Sequence, residues 1–195
     1  MRILAFIGFL AILAAIGAAV FFLGGFYSVA ASQEDPVVVK WLLVQTRTAS
    51  IARNAHDPAP AGFNDQPKIQ AGARAFGEHG CANCHGAPGV KWAKFSEGLH
   101  PDPPDLKDVV NDLSPSELFW VVKNGINMSG MPSFGAAGVK DDEIWDIVAF
   151  LTKLPSVSEA DYKAWQAPQR PASPVTTLPP PPGTVPPPAA TAPPK

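Results

Sequence analysis

Cysteine is nearly absent from this 195-residue chain, with two copies, and histidine is scarce, with four. Two thiols exclude a disulfide-dense scaffold and leave room for one site of sulfur chemistry. An excess of either charge sign is also missing. Fifteen Lys and Arg stand against 17 Asp and Glu, a net charge of −2, so nothing marks the chain for polyanion binding and nucleic acid is not an expected partner. Charged residues reach only 16%, while 46% of the chain is apolar and 23 residues are proline. No single uniform globular domain has that mixture, and the chain is best read in sections.

Charge is wholly absent from residues 3–32. The run ILAFIGFLAILAAIGAAVFFLGGFY exceeds the roughly 20 apolar residues needed to cross a hydrocarbon core. A secretory signal is the competing reading, with Arg2 as a minimal basic start and Val29 and Ala31 as small residues for cleavage. Signal cores usually run only about 7 to 15 residues, which favours an uncleaved transmembrane anchor over residues 1–32. Arg2 precedes the span and Glu34 and Asp35 follow it. The positive-inside tendency therefore puts the rest of the chain on the periplasmic side of an inner membrane.

Asp35 and Pro36 look like an N-cap and a first helical residue ahead of VVVKWLLVQTRTASIARNAH. Val37, Trp41, Val44, Thr48 and Ile51 recur at helical spacing. Such a stripe fits a helix on the lipid surface, with Lys40, Arg47 and Arg53 for headgroups, or equally a helix packed on the following domain. DPAPAGFNDQP is linker-like, completing a juxtamembrane section over residues 33–65. At the other end, residues 167–195 hold 12 prolines, including PPPP and PPP. No core can form there, and an extended or disordered spacer with polyproline II character is predicted, partner docking being the lesser alternative.

Residues 66–166 remain for a folded domain, ample for one core. A first helix is predicted over 67–80, with Ile69, Ala73 and Phe76 on one side. SPSE announces a second: Ser114 caps, Pro115 takes the first turn and Glu117 completes a capping box. The last begins near Asp141, Asp142 and Glu143, runs to Pro155, and is extended by a turn or two carrying Tyr162 and Trp165. The intervening stretches are rich in Gly and Pro and lack strand alternation. The domain reads as all-α with long structured loops, which in a compact domain usually wrap something or form a site.

Both cysteines lie in GCANCHG, as Cys81 and Cys84, followed by His85. CxxCH is the attachment pattern of c-type haem: two thiols on one side of a tight turn form thioethers, and the next imidazole meets the iron. Thiol redox chemistry would call for a βαβ context that is missing. Zinc would need His79 or His100 to join three ligands of unsuitable spacing. A Cys81–Cys84 disulfide is the third alternative. For the sixth position of the iron the candidates are Met131, Met128 and His100. Met131 is favoured because Gly130 allows a sharp turn and Pro132 stiffens the chain behind it. His/Met ligation fills both axial positions and points to electron transfer.

GARAFGEHGCANCHGAPG, GLHPDPPDL, FWVVKNGINMSGMPSFG and DDEIWDIVAFLTKLP, in this order, resemble membrane-anchored monohaem members of the class I cytochrome c family over about half the chain. The resemblance implies the cytochrome c fold, with crossed terminal helices and one haem c in a crevice. It implies thioethers at Cys81 and Cys84, His85 as proximal and Met131 as distal ligand, and the Pro104 carbonyl as acceptor for the His85 ring. Leu106 would lie on the porphyrin. Gly72 and Phe76 would meet the last helix near Trp145 and Leu151. The loop GVKWAKFSEG, with Trp92 and Lys94, departs from the pattern and leaves the propionate partners unassigned.

Over residues 66–166, 9 Lys and Arg face 13 Asp and Glu, a charge of −4 that would steer the domain toward basic docking surfaces. His56, His79 and His100 have ordinary surface or loop roles on sequence grounds. The resulting expectation is a membrane-tethered electron carrier, not itself an enzyme, with redox-protein donor and acceptor. A permanent haem subunit of a membrane-bound dehydrogenase or reductase is the main alternative. A haem sensor or peroxidase, requiring an open sixth site, is the lesser one.

Overall fold

The computed structural model describes residues 2–167, and the greater part of the proline-rich tail lies outside the described residues. Among the described residues there are eight α-helices and no strands, only an isolated bridge between Ala87 and Val90. The all-α class follows.

Helix α1, Arg2–Leu23, is 22 residues long with a mean hydropathy of 2.7, and none of it is buried against protein. It is long and apolar enough to cross a membrane. Helix α2, Val37–Asn54, begins after Pro36, but Asp35 makes no capping hydrogen bond. Its carboxylate instead accepts from the Tyr27 hydroxyl. The expected Asp35 cap is therefore corrected: the helix starts at Val37 with Pro36 in the cap position, one residue beyond Asp35.

The core sits where α3, Gln66–Glu78, crosses α7, Asp141–Lys153. Gly72 makes the crossing close, because a Cβ there would stand 2.9 Å from the Ile147 nitrogen and nearer still to the Asp146 carbonyl. Around it Ala73, Phe76, Ile144, Ile147, Val148 and Phe150 are almost fully buried. The Phe76 and Phe150 rings lie 5.3 Å apart. Helix α6, Pro115–Asn124, packs on the same α7 and stacks Phe119 on Trp145 at 4.3 Å. Its start carries the reciprocal capping box: Ser114 Oγ accepts from the Glu117 N–H, and the Glu117 carboxylate accepts from the Ser114 N–H at 2.8 Å.

Two sequence expectations are revised here. Tyr162 and Trp165 do not extend α7. Pro155 lies in a 3-10 turn, Leu154–Ser156, and Ser158 caps a separate helix, α8, Glu159–Gln166, that folds back on α3. The linker-like segment before α3 is pinned to α7: Phe63 packs edge-on against Trp145 at 5.9 Å, and Thr152 Oγ1 donates to Asn64 Oδ1 at 3.2 Å.

Candidate cofactor site

The CANCH segment forms a single helical turn, α4, Cys81–His85, between two residues of positive φ, Gly80 at 75° and Gly86 at 67°. Side chains rarely adopt that conformation, so glycine on both flanks lets the chain turn sharply into and out of five residues. The His85 Nδ1 lies 2.9 Å from the Pro104 carbonyl oxygen and donates to it, leaving Nε2 as the nitrogen with a lone pair. Burial holds the His85 imidazole below its usual range, against the opposing pull of the Pro104 carbonyl. Next to Pro104, Asp105 caps the short helix α5, Leu106–Val109, by accepting from the Lys107 N–H at 2.9 Å.

Met131 lies on the loop that leaves α6. The turn at that helix end depends on Gly125, whose φ is 70° and whose missing Cβ would fall 2.6 to 2.8 Å from the backbone of Met131, Pro132 and Ser133. The loop is then tied by the Ile126 N–H donating to the Met131 carbonyl at 3.1 Å. Ser129 Oγ donates to the Ile126 carbonyl at 2.7 Å and accepts from the Met131 N–H at 3.2 Å. Gly125 and Ser129 escaped the sequence reading, although NGIN after a helix was a visible stop signal. Gly130 does not have positive φ; it lies close against Leu99, while the left-handed residue of the loop is Met128 at φ 58°.

One cavity of about 510 Å³ is lined by Cys81, Cys84, His85, Pro104, Leu106 and Met131 together. That size is within the range of about 300–1,000 Å³ usual for cofactor sites. Core residues Phe76, Leu118, Ile147 and Leu151 supply apolar walls. The other two candidates for the sixth position are elsewhere. Met128 is 69% exposed, and neither it nor His100 lines the cavity. His100 Nδ1 lies 2.8 Å from the Leu99 carbonyl. His79 does line the cavity, paired at 2.8 Å with Glu143.

The alternatives to haem find little support in this geometry. Burial pushes the Cys81 thiol up to about 12, reinforced by neighbouring Cys84 and opposed by a contact with its own backbone. Thiol–disulfide chemistry needs the reverse shift. Both cysteines are free thiols. Among the described residues no three His, Cys, Asp or Glu side chains gather as a metal-holding group, so a zinc site has no donor set. Two thiols, one imidazole and one thioether around an apolar cavity do fit haem c, which takes thioether attachment and His/Met ligation.

A CxxCH turn, a thioether loop across a cavity and crossed helices behind it define a monohaem c-type cytochrome domain. Residues 67–151 match the family model described as "Cytochrome C oxidase, cbb3-type, subunit III". The matched family is one of monohaem c-type cytochromes, and residues 67–151 are a domain of that kind. No curated protein and no solved structure matches the chain.

Proposed function

We propose that this chain is a membrane-tethered, extracytoplasmic electron carrier with one haem c, bound through Cys81 and Cys84 and ligated by His85 and Met131. The observation that carries the reading is the single cavity lined at once by both thiols, the imidazole and the half-buried thioether. Haem held there supplies a one-electron ferrous–ferric couple. The residues of this chain do the rest. The Pro104 carbonyl fixes the His85 ring and tautomer. Ser129 and Gly125 hold the Met131 loop in place, so that neither ligand has to move between oxidation states. The apolar walls give most of the cavity a low-polarity lining. Helix α1 tethers the domain and raises its concentration near membrane-bound donors and acceptors.

The test is the absorbance spectrum of the purified protein, ferric and ferrous, for wild type and Met131→Ala. Pigment that survives acid–organic extraction establishes covalent attachment. Loss of the sulfur-to-iron charge-transfer band in the variant establishes Met131 as ligand, and an unchanged spectrum removes it.

A second reading, a permanent subunit of a membrane complex, is favoured by the oxidase-subunit description of the matched family. It also draws on the bare apolar start of α2, where Val37, Val38 and Trp41 are 83, 75 and 61% exposed. Stoichiometric co-purification in mild detergent selects it over the free carrier.

A further inference from the structure

Helix α2 reaches the cofactor cavity from outside the matched domain. The family match starts at residue 67, yet Arg47, Thr48 and Ile51 line the same cavity as Cys81, His85 and Met131. These three positions fall on one helical face. Ile51 is only 5% exposed, and α2 packs on α6, so the contact is a packed one. The apolar stripe of α2 thus changes partner along its length: bare near the membrane anchor, buried at the cavity.

Charge makes the arrangement specific. Asp102, Asp112 and Glu117 line the cavity, and Arg47 is its one Lys or Arg among the described residues. Arg47 is exposed, placing it at the cavity's open side, and among the described residues it forms no ion pair. Haem brings two carboxylates, which an acidic rim would repel. A guanidinium offers them a planar, bidentate, permanently charged partner.

We propose that α2 is a wall of the cofactor cavity and that Arg47 is the cationic contact for the haem carboxylates. This rests on the haem reading above. Oxidation adds a positive charge to the site, so a fixed cation beside it disfavours the ferric form and raises the reduction potential. Arg47 is a positioning residue, acting on the haem periphery and not on the iron.

The experiment is a redox titration of the full-length protein in detergent, for wild type, Arg47→Gln, Arg47→Lys and Arg53→Gln. Arg53 is on the same helix but does not line the cavity. Arg47→Gln is expected to shift the ferrous-to-ferric ratio several-fold toward ferric at fixed potential, tenfold corresponding to about 59 mV for one electron. Arg47→Lys keeps most of the wild-type potential, and Arg53→Gln keeps all of it. The Met131 charge-transfer band stays in every variant. Haem loading lost in Arg47→Gln but normal in Arg53→Gln also supports the contact. A loaded Arg47→Gln with wild-type potential overturns the proposal, as does an equal shift in Arg53→Gln. Wild type without covalent haem overturns the underlying reading and this one with it, so the two failures are distinct.

Discussion

Replacing Gly72 by alanine should damage the fold more than any other single added methyl group in α3. The new Cβ would lie 2.9 Å from the Ile147 nitrogen and closer to the Asp146 carbonyl carbon and oxygen, all of them backbone. Backbone in the middle of α7 cannot swing away as a side-chain end can. Relief requires α3 and α7 to separate, and a gap of about 0.5–1 Å already forfeits a quarter to a half of each dispersion contact. Those contacts involve Phe76, Ile147, Val148 and Phe150, none more than 1% exposed. Overpacking commonly costs about 1–3 kcal/mol, and a rigid obstacle across the main interface places this case at about 3 kcal/mol. Against a net stability of about 5–15 kcal/mol that is a large fraction. Guanidinium denaturation followed by far-UV circular dichroism would read it as a lower midpoint. Gly98→Ala is the control: nothing lies within 4 Å of its Cβ position and its φ is not positive, so its midpoint should match wild type. A loss below about 1 kcal/mol for Gly72→Ala would refute the claim that backbone contact sets this crossing.

Three further outcomes are expected. Ser114→Ala should cost about 1 kcal/mol by uncapping α6. The Glu117 carboxyl is held below its usual range by the Ser114 N–H, with help from the Ser114 hydroxyl. A depressed folded-state pKa contributes stability above the unfolded value of about 4.3, lost as pH falls through the lower folded value. Glu117→Gln should therefore flatten the acid limb of the stability–pH curve, and an unchanged limb in denaturation at stepped pH would count against the box. Replacing residues 1–32 with a cleavable export signal should move the haem-loaded protein from the membrane pellet to the soluble fraction. Retention in the pellet would mean that α2 or a partner, and not α1, is the anchor.

Much of the architecture was legible because its signals are local. Ser114, Pro115 and Glu117 announce α6 through hydrogen bonds made within one turn. Three acidic residues open α7, and a charge-free run spells out α1. The CxxCH turn is equally local, and its two flanking glycines are written beside it. What was not legible depends on tertiary partners. The stripe of α2 is compatible with lipid or with protein, and only the position of α6 determines that Ile51 is buried while Val37 is bare. Asp35 has the identity of a cap, but the helix starts one residue later, at Val37, and the carboxylate bonds Tyr27 instead. Pro155 was recognised as an end, but whether the chain continues or turns back depends on α8 having α3 to pack against. The serine and glycine that hold the Met131 loop have no periodicity to betray them, since their work is to let backbone approach backbone.

The distribution of core residues separates a layer packed on itself from one that faces the cavity. The α3–α7 crossing, with Phe119 stacked on Trp145 beside it, buries aromatic against aromatic and aliphatic and leaves nothing for a ligand to supply. On the other side of Phe76, Ile147 and Leu151, the apolar surface faces the cavity instead of more protein. Helix α5 and the Met131 loop line the cavity; α5 also packs on the turn after α7, and the loop is tied to α6 by the Ser133 hydroxyl donating to the Lys123 carbonyl at 2.7 Å. The two layers make different demands on sequence: the first needs volume and a glycine for close approach, the second needs polar and sulfur atoms at fixed places among apolar lining residues such as Leu99, Leu106 and Ile126. The cavity is thus faced by loops rich in Gly and Pro on one side and backed by the packed α3–α7 crossing on the other.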